Sequence, residues 1–187
     1  MDYNNIHREL VEDCKLGKRQ AQFELYRLYS KAMYNICIRM VKNDMDAEDL
    51  LQNSFVDIFT KLDSFRFQSS VGAWIKRIVV NNCINFLKKR RLIIQELNDQ
   101  ITEHPDPVEE NHAPKYSIDS INHALFQLPD GYRVVFTLYL MEGYDHKEIA
   151  EILEISEATS KSQFSRAKKR LREIIRSEKQ EERGQIF

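Results

Sequence analysis

Apolar residues recur every three or four positions from the N-terminus to about Arg91, the period of helices buried on one side. The pattern predicts a first helix from about Asn4 to Leu16, stopped at Gly17. A second starts near Arg19 and carries Phe23, Tyr26, Met33, Cys37 and Met40 on one side, until Lys42-Asn43-Asp44 breaks it. A third begins at Asp46 and sets Leu50, Leu51, Phe55, Ile58, Phe59 and Leu62 on a helical stripe. Asp63 to Ser70 has no period and reads as a loop. A fourth helix, capped by Ser69 or Ser70, carries Trp74, Ile75, Ile78, Val79, Ile84 and Leu87 and ends in Lys88-Lys89-Arg90-Arg91.

The pattern then changes character. Ile93 to Pro114 holds all but one of the prolines, six carboxylates and no Lys or Arg, the composition of an extended, flexible acidic linker. Helical period returns near Ser117, with Ile121, Leu125 and Leu128 on one stripe. Pro129 opens a further helix, with Val134, Val135, Leu138 and Tyr139 directed inward. Asp145 and Glu148 fit a capping box ahead of Ile149, Ala150, Ile152 and Leu153. Glu154-Ile155 makes a turn and Ser156 caps a last helix. The expected fold is all-α: helical domains over 1–92 and 117–187, joined by the linker 93–116, the second domain containing a helix-turn-helix.

Composition narrows the chemistry. The 187 residues carry 28 Lys and Arg against 29 Asp and Glu, so only local patches can meet phosphate. One such patch is the last helix, where Lys161, Arg166, Lys168, Lys169, Arg170, Arg172 and Arg176 outnumber Glu157 and Glu173. A basic second helix after a tight turn is the form that reads duplex DNA, with its flanks on phosphates. Cys14, Cys37 and Cys83 lack metal-ligand spacing and read as buried free thiols. The five histidines form no H-x-x-x-H pair, and no glycine-rich phosphate loop or activated nucleophile is evident, so an enzyme is not expected. No cofactor or metal is expected. No membrane-length apolar run or signal peptide is visible, which points to a cytoplasmic protein without membrane insertion.

A second constellation runs from Leu62 to Arg91: an aromatic loop, a Trp-bearing helix with amides, and a basic end. Aromatics interleaved with cations suit single-stranded DNA, because bases stack while cations follow the backbone. By burial habit Trp74 belongs to the core. Phe65 and Phe67, in a polar loop, fit core or surface equally.

Asp46-Ala-Glu-Asp-Leu-Leu-Gln-Asn-Ser-Phe55, Leu62-Asp-Ser-Phe-Arg66 and Trp74-Ile-Lys-Arg-Ile-Val-Val-Asn81 resemble the first domain of bacterial extracytoplasmic-function (ECF) sigma factors, and Gly143 to Leu171 resembles their second. The resemblance implies a protein that binds core RNA polymerase, captures the melted −10 strand with its first domain and reads the −35 duplex with its second. It assigns −10 DNA to Phe65, Arg66, Phe67, Gln68, Lys76, Arg77, Asn81, Lys88 and Arg91, with a flipped base received by the loop and met by Asn81. It assigns the β′ clamp helices of polymerase to Asp46, Glu48, Asp49 and Gln52, and −35 DNA to Ser156, Thr159, Lys161, Ser162, Ser165, Arg166 and Lys169. It further implies contact with the polymerase β flap and passage of the linker through the RNA exit channel. Several members are restrained by an anti-sigma factor, a partner that the residues neither support nor oppose. The chain departs from the family's pattern at Glu154, where a turn Gly is common, and at Ser160, where Val is common. The rival reading is a helix-turn-helix regulator that never engages polymerase.

Overall fold

The computed structural model describes residues 7–90 and 117–184. The expected start of the first helix at Asn4, the acidic linker and Arg91 lie outside the described residues. The described helices fall into two compact units.

The first unit contains α1 (Arg8–Lys15), α2 (Arg19–Val41), α3 (Asp44–Lys61), a single 3-10 turn at Leu62–Ser64, and α4 (Val71–Lys89). Local chemistry sets these boundaries. Gly17 follows α1 at φ 73, a left-handed conformation that glycine adopts without a Cβ penalty. Lys42 closes α2 in the left-handed region, and its N–H donates to the Ile38 carbonyl. The Asn43 side chain then accepts from the Asp46 N–H at 2.9 Å, so α3 starts at Asp44, ahead of its first apolar stripe residue. Asp44 and Asp46 complement the positive end of the helix dipole. Ser70, rather than Ser69, caps α4, accepting from the Ala73 N–H at 3.2 Å.

Helices α2, α3 and α4 pack on one another, and α1 packs on α2. Leu25, Met40, Ile58, Leu62, Ile75 and Leu87 are fully buried; each contributes about 1.5–3 kcal/mol by leaving water. Phe23 departs from its expected inward place and is 68% exposed. The buried positions at that end of α2 are Ala21 and Leu25, and a residue two places away points about 200° round the helix. All three cysteines are free and buried, with the Cys37 and Cys83 sulfurs 3.7 Å apart. Burial, then the neighbouring Asp13, raises the Cys14 thiol to about 11. Among the described residues, no helix is long and apolar enough to cross a membrane.

The second unit contains α5 (Ile118–Gln127), α6 (Asp130–Phe136), a π-helical turn at Thr137–Met141, α7 (His146–Leu153) and α8 (Glu157–Gly184). Pro129 stands at the N-cap of α6, one place before the helix. The capping box on α7 is complete: Asp145 accepts from the Glu148 N–H and Glu148 from the Asp145 N–H, both at 2.8 Å. Helices α5, α6 and α7 all pack on α8; α5, α6 and α8 share a core of Ala124, Leu125, Leu128, Phe136, Ala167, Leu171, Ile174 and Ile175. Tyr139, expected inside, is instead 36% exposed. It lies in the π turn, where its ring stacks on His146 at 4.3 Å and meets Phe164 at 4.4 Å.

Arg133 is the unusual core residue. It is fully buried, ion-paired with Asp130, and donates to the Leu128 carbonyl at 3.2 Å. A buried guanidinium is tolerated only while its charge is met. Asp130→Ala therefore should cost the second unit about 3–5 kcal/mol, read as faster amide hydrogen exchange throughout α6 and α8. Unchanged protection of those amides would show that the pair does not hold the unit.

Candidate functional site

Helix α8 is divided by burial. Ser160, Gln163, Ala167, Leu171, Ile174 and Ile175 face inward. Ser162, Ser165, Arg166 and Lys169 follow the i, i+3, i+4, i+7 spacing on the other side, exposed or half-buried. Lys161 stands beside this stripe and pairs with Glu157 at 2.7 Å, which holds the Glu157 carboxyl below its ordinary range. An exposed pair one turn apart is weak enough to exchange its carboxylate for a phosphate. Ser156 has a different first duty: its hydroxyl caps α8, accepting from the Thr159 N–H at 2.9 Å, with the Thr159 hydroxyl 2.8 Å away.

Both departures in the helix-turn-helix have physical explanations. Glu154 adopts the left-handed conformation at φ 59, the conformation in which a glycine would be strain-free, and the Ile155 N–H bonds back to the Ala150 carbonyl at 3.0 Å. Ser160 is fully buried, yet its hydroxyl is satisfied 2.9 Å from His146 Nδ1. Burial, then Lys161, lowers the pKa of His146, favouring the neutral ring that this bond and the Tyr139 stack surround.

In the first unit, Trp74, Arg77, Asn81 and Lys88 lie along one face of α4 at spacings of three, four and seven. Arg77 and Asn81 are exposed, and Lys88 is half-buried. Lys76 is not part of this face; it projects about 140° away from Asn81 round the helix. The neighbouring Asn82 is engaged elsewhere, donating to Ser54 at 3.1 Å and Asp57 at 3.0 Å on α3. The loop after the 3-10 turn is built on rings: Phe65 lies 4.8 Å from Phe67 and 5.2 Å from Trp74. Phe65 is 3% exposed, so its ring is packed rather than presented. Phe67 and Trp74 are half-buried, and Arg66 and Gln68 are exposed.

On α3, Glu48, Asp49 and Gln52 are exposed, while Asp46 is half-buried. Glu48 and Gln52, with Tyr26, Tyr34 and Leu51, line a surface groove of about 460 Å³ between α2 and α3. Tyr34 donates to Asp44 at 3.1 Å across its end. Met45 and Val56, 77% and 65% exposed, extend the Asp49–Gln52 row in both directions. Sequence reading missed these two apolar ends and Tyr34, and placed Tyr26 on the inward side of α2 without the groove. The Met45, Asp49, Gln52, Val56 spacing was the available signal, an apolar pair on an otherwise polar helical face. Among the described residues, no group of His, Cys, Asp and Glu side chains is arranged to hold a metal ion.

Residues 25–93 match the family model of Sigma-70 region 2, and residues 118–171 match that of Sigma-70, region 4. The chain is 30% identical over 152 residues to the ECF RNA polymerase sigma factor SigM of Bacillus subtilis, covering 81% of this chain and 93% of that protein. It is 26% identical over 180 residues to SigW of the same organism, covering 90% and 96%. The sigma factor RpoE in a co-crystal structure with the anti-sigma factor NepR from Bartonella quintana has a similar fold. Its TM-score is 0.55 at 25% identity, over 82% of this chain and 95% of that one. A helix-turn-helix alone is common to many regulators; region 2 beside it marks proteins that bind RNA polymerase as well as promoter DNA. The chain thus belongs to the ECF family of RNA polymerase sigma factors, alternative sigma factors without enzymatic activity that direct promoter-specific initiation of transcription.

Proposed function

We propose that promoter recognition is divided between the two units, and that opening is driven by binding energy alone. The −10 strand lies along the α4 face of Trp74, Arg77, Asn81 and Lys88. One unstacked base enters the loop of Phe65 to Ser70. Phe65, packed on Trp74, supports the loop from beneath, and Arg66, Phe67 and Gln68 form the rim of the site. The Asn81 amide meets the base edge, where it can donate and accept at once. The exposure of Asn81 on the face that Trp74 shares is the observation that carries this reading. Stacking a base on an aromatic ring is worth roughly 1–3 kcal/mol, against about 1.4 kcal/mol of stacking lost per base-pair step. A few captured bases therefore suffice to hold the strands apart.

The row Met45, Asp49, Gln52 and Val56, with Glu48 in the adjoining groove, is the surface for the β′ clamp helices. Its apolar ends supply area and its polar centre supplies register. Asp46, half-buried at the start of α3, contributes through the helix terminus. In the second unit, Lys161, Ser162, Ser165, Arg166 and Lys169 read and fasten the −35 duplex, with Ser156 and Thr159 at the helix start. The second unit also meets the β flap, and the acidic linker 93–116 follows the RNA exit channel. These last two assignments rest on family likeness. RpoE is seen with NepR, and an anti-sigma partner for this chain follows from that likeness. The site of action is the cytoplasm, where the polymerase is.

Asp49→Lys is expected to reduce competition for core polymerase while changing thermal stability by no more than the roughly 0.5 kcal/mol usual for a surface substitution. Undiminished competition would remove α3 from the polymerase interface. Asn81→Ala is expected to abolish base preference at one −10 position, since a buried base edge without its partner costs about 1–3 kcal/mol. The assay is holoenzyme binding to single-stranded −10 oligonucleotides with each base varied in turn. Preference retained at every position would refute base reading by Asn81.

A further inference from the structure

We propose that α1 sets the conformation of the −10 loop, with Lys15 and Arg8 as positioning residues for Phe67. The inference rests on the −10 reading above and adds to it the elements that hold the loop in its reading shape. Lys15 Nζ donates to the Phe65 carbonyl at 3.1 Å, a contact spanning 50 residues of sequence. The same ammonium lies 4.8 Å from the centroid of the Phe67 ring. Arg8 also places its guanidinium carbon 4.8 Å from that centroid. Arg8 and Lys15 are seven residues apart, which sets them on one face of α1 two turns from each other. Glu12, on the turn between them, lies 3.6 Å from Lys15 and steadies its side chain.

Phe67 needs such support. Its φ is 56, a conformation that a bulky side chain rarely adopts. A strained residue persists only where its surroundings over-determine it, and such residues collect at functional sites. Here the surroundings are two cations from α1, each 4.8 Å from the ring centroid, and the Phe65 ring, also 4.8 Å away. Phe65 in turn rests on Trp74, the start of the α4 face that carries Asn81. A continuous chain of contacts therefore runs from α1 through Phe67 and Phe65 to α4. Loss of the α1 cations would free Phe67 to relax and blur the rim against which the base is sorted. It would leave the α3 row and the whole second unit unaltered.

The test uses the full chain in holoenzyme with core polymerase. Binding to single-stranded −10 oligonucleotides is measured with each base varied, beside core-polymerase competition and −35 duplex binding. Lys15→Met keeps the apolar stem and removes donor and charge; Lys15→Arg keeps both. Base discrimination at the position read by Asn81 is expected to fall by at least about 2- to 5-fold in Lys15→Met, the lower end of the range for a cation–π contact, and to return in Lys15→Arg. Core competition and −35 binding should not change. Arg8→Ala, at an exposed position, should reduce discrimination in the same direction and keeps the proposal testable if Lys15→Met does not fold. Full discrimination in the α1 variants, with discrimination lost in Asn81→Ala, would overturn the positioning role and leave the −10 reading standing. Equal weakening of every oligonucleotide would make Lys15 a phosphate contact and overturn it too. Full discrimination in all the variants, Asn81→Ala included, would overturn the −10 reading itself and this inference with it.

Discussion

A helix can bury only one face against its neighbours, and in this protein that constraint decides where recognition can occur. On α8 the inward row of Ser160, Gln163, Ala167, Leu171, Ile174 and Ile175 anchors three other helices, so the opposite row of Ser162, Ser165, Arg166 and Lys169 is held toward solvent. On α3 the packing of Leu50, Leu51, Phe55 and Ile58 leaves Asp49, Gln52, Met45 and Val56 outward in the same way. On α4 the burial of Ile75, Val79, Cys83 and Leu87 presents Arg77 and Asn81. Each of these outward rows is the obverse of a core, and a change that rotates a helix would displace its row as a unit.

Where function departs from that rule, the backbone is strained or a polar group is buried. Phe67 holds a left-handed conformation in the loop before α4, and Glu154 holds one in the helix-turn-helix. Ser160 places a hydroxyl on the inward face of α8 and satisfies it on His146, whose ring meets Tyr139 and Phe164. At Glu154 and Ser160 the accommodation is local, which is how a family pattern can be altered at single positions without loss of the fold.

Much of this was legible in the order of residues, because helix period and caps are local. The Asp145–Glu148 box and Ser156 act where their residue types predict, whereas α3 begins at Asp44, two residues before the start expected at Asp46, because Asn43 caps it. The outward Phe23 was not legible, since a neighbouring apolar position, Leu25, competes for the same core. Nor were the π turn that exposes Tyr139 and the buried Arg133–Asp130 pair, which depend on tertiary packing. The site was read in type but not in depth: Phe65 proved to be packed, and Lys76 proved to lie off the Asn81 face. The link from Lys15 to the loop joins residues 50 apart and has no local signature at all.

One chain supplies promoter specificity to a polymerase that lacks it. Run-off transcription with purified core polymerase, this chain and a genomic promoter library tests that claim most directly. Transcripts are expected only when the chain is present, from templates sharing paired −10 and −35 elements at constant spacing, and pre-melting the −10 region should lessen the need for the −35 element. Core polymerase that binds the chain yet initiates no more specifically than core alone would contradict it.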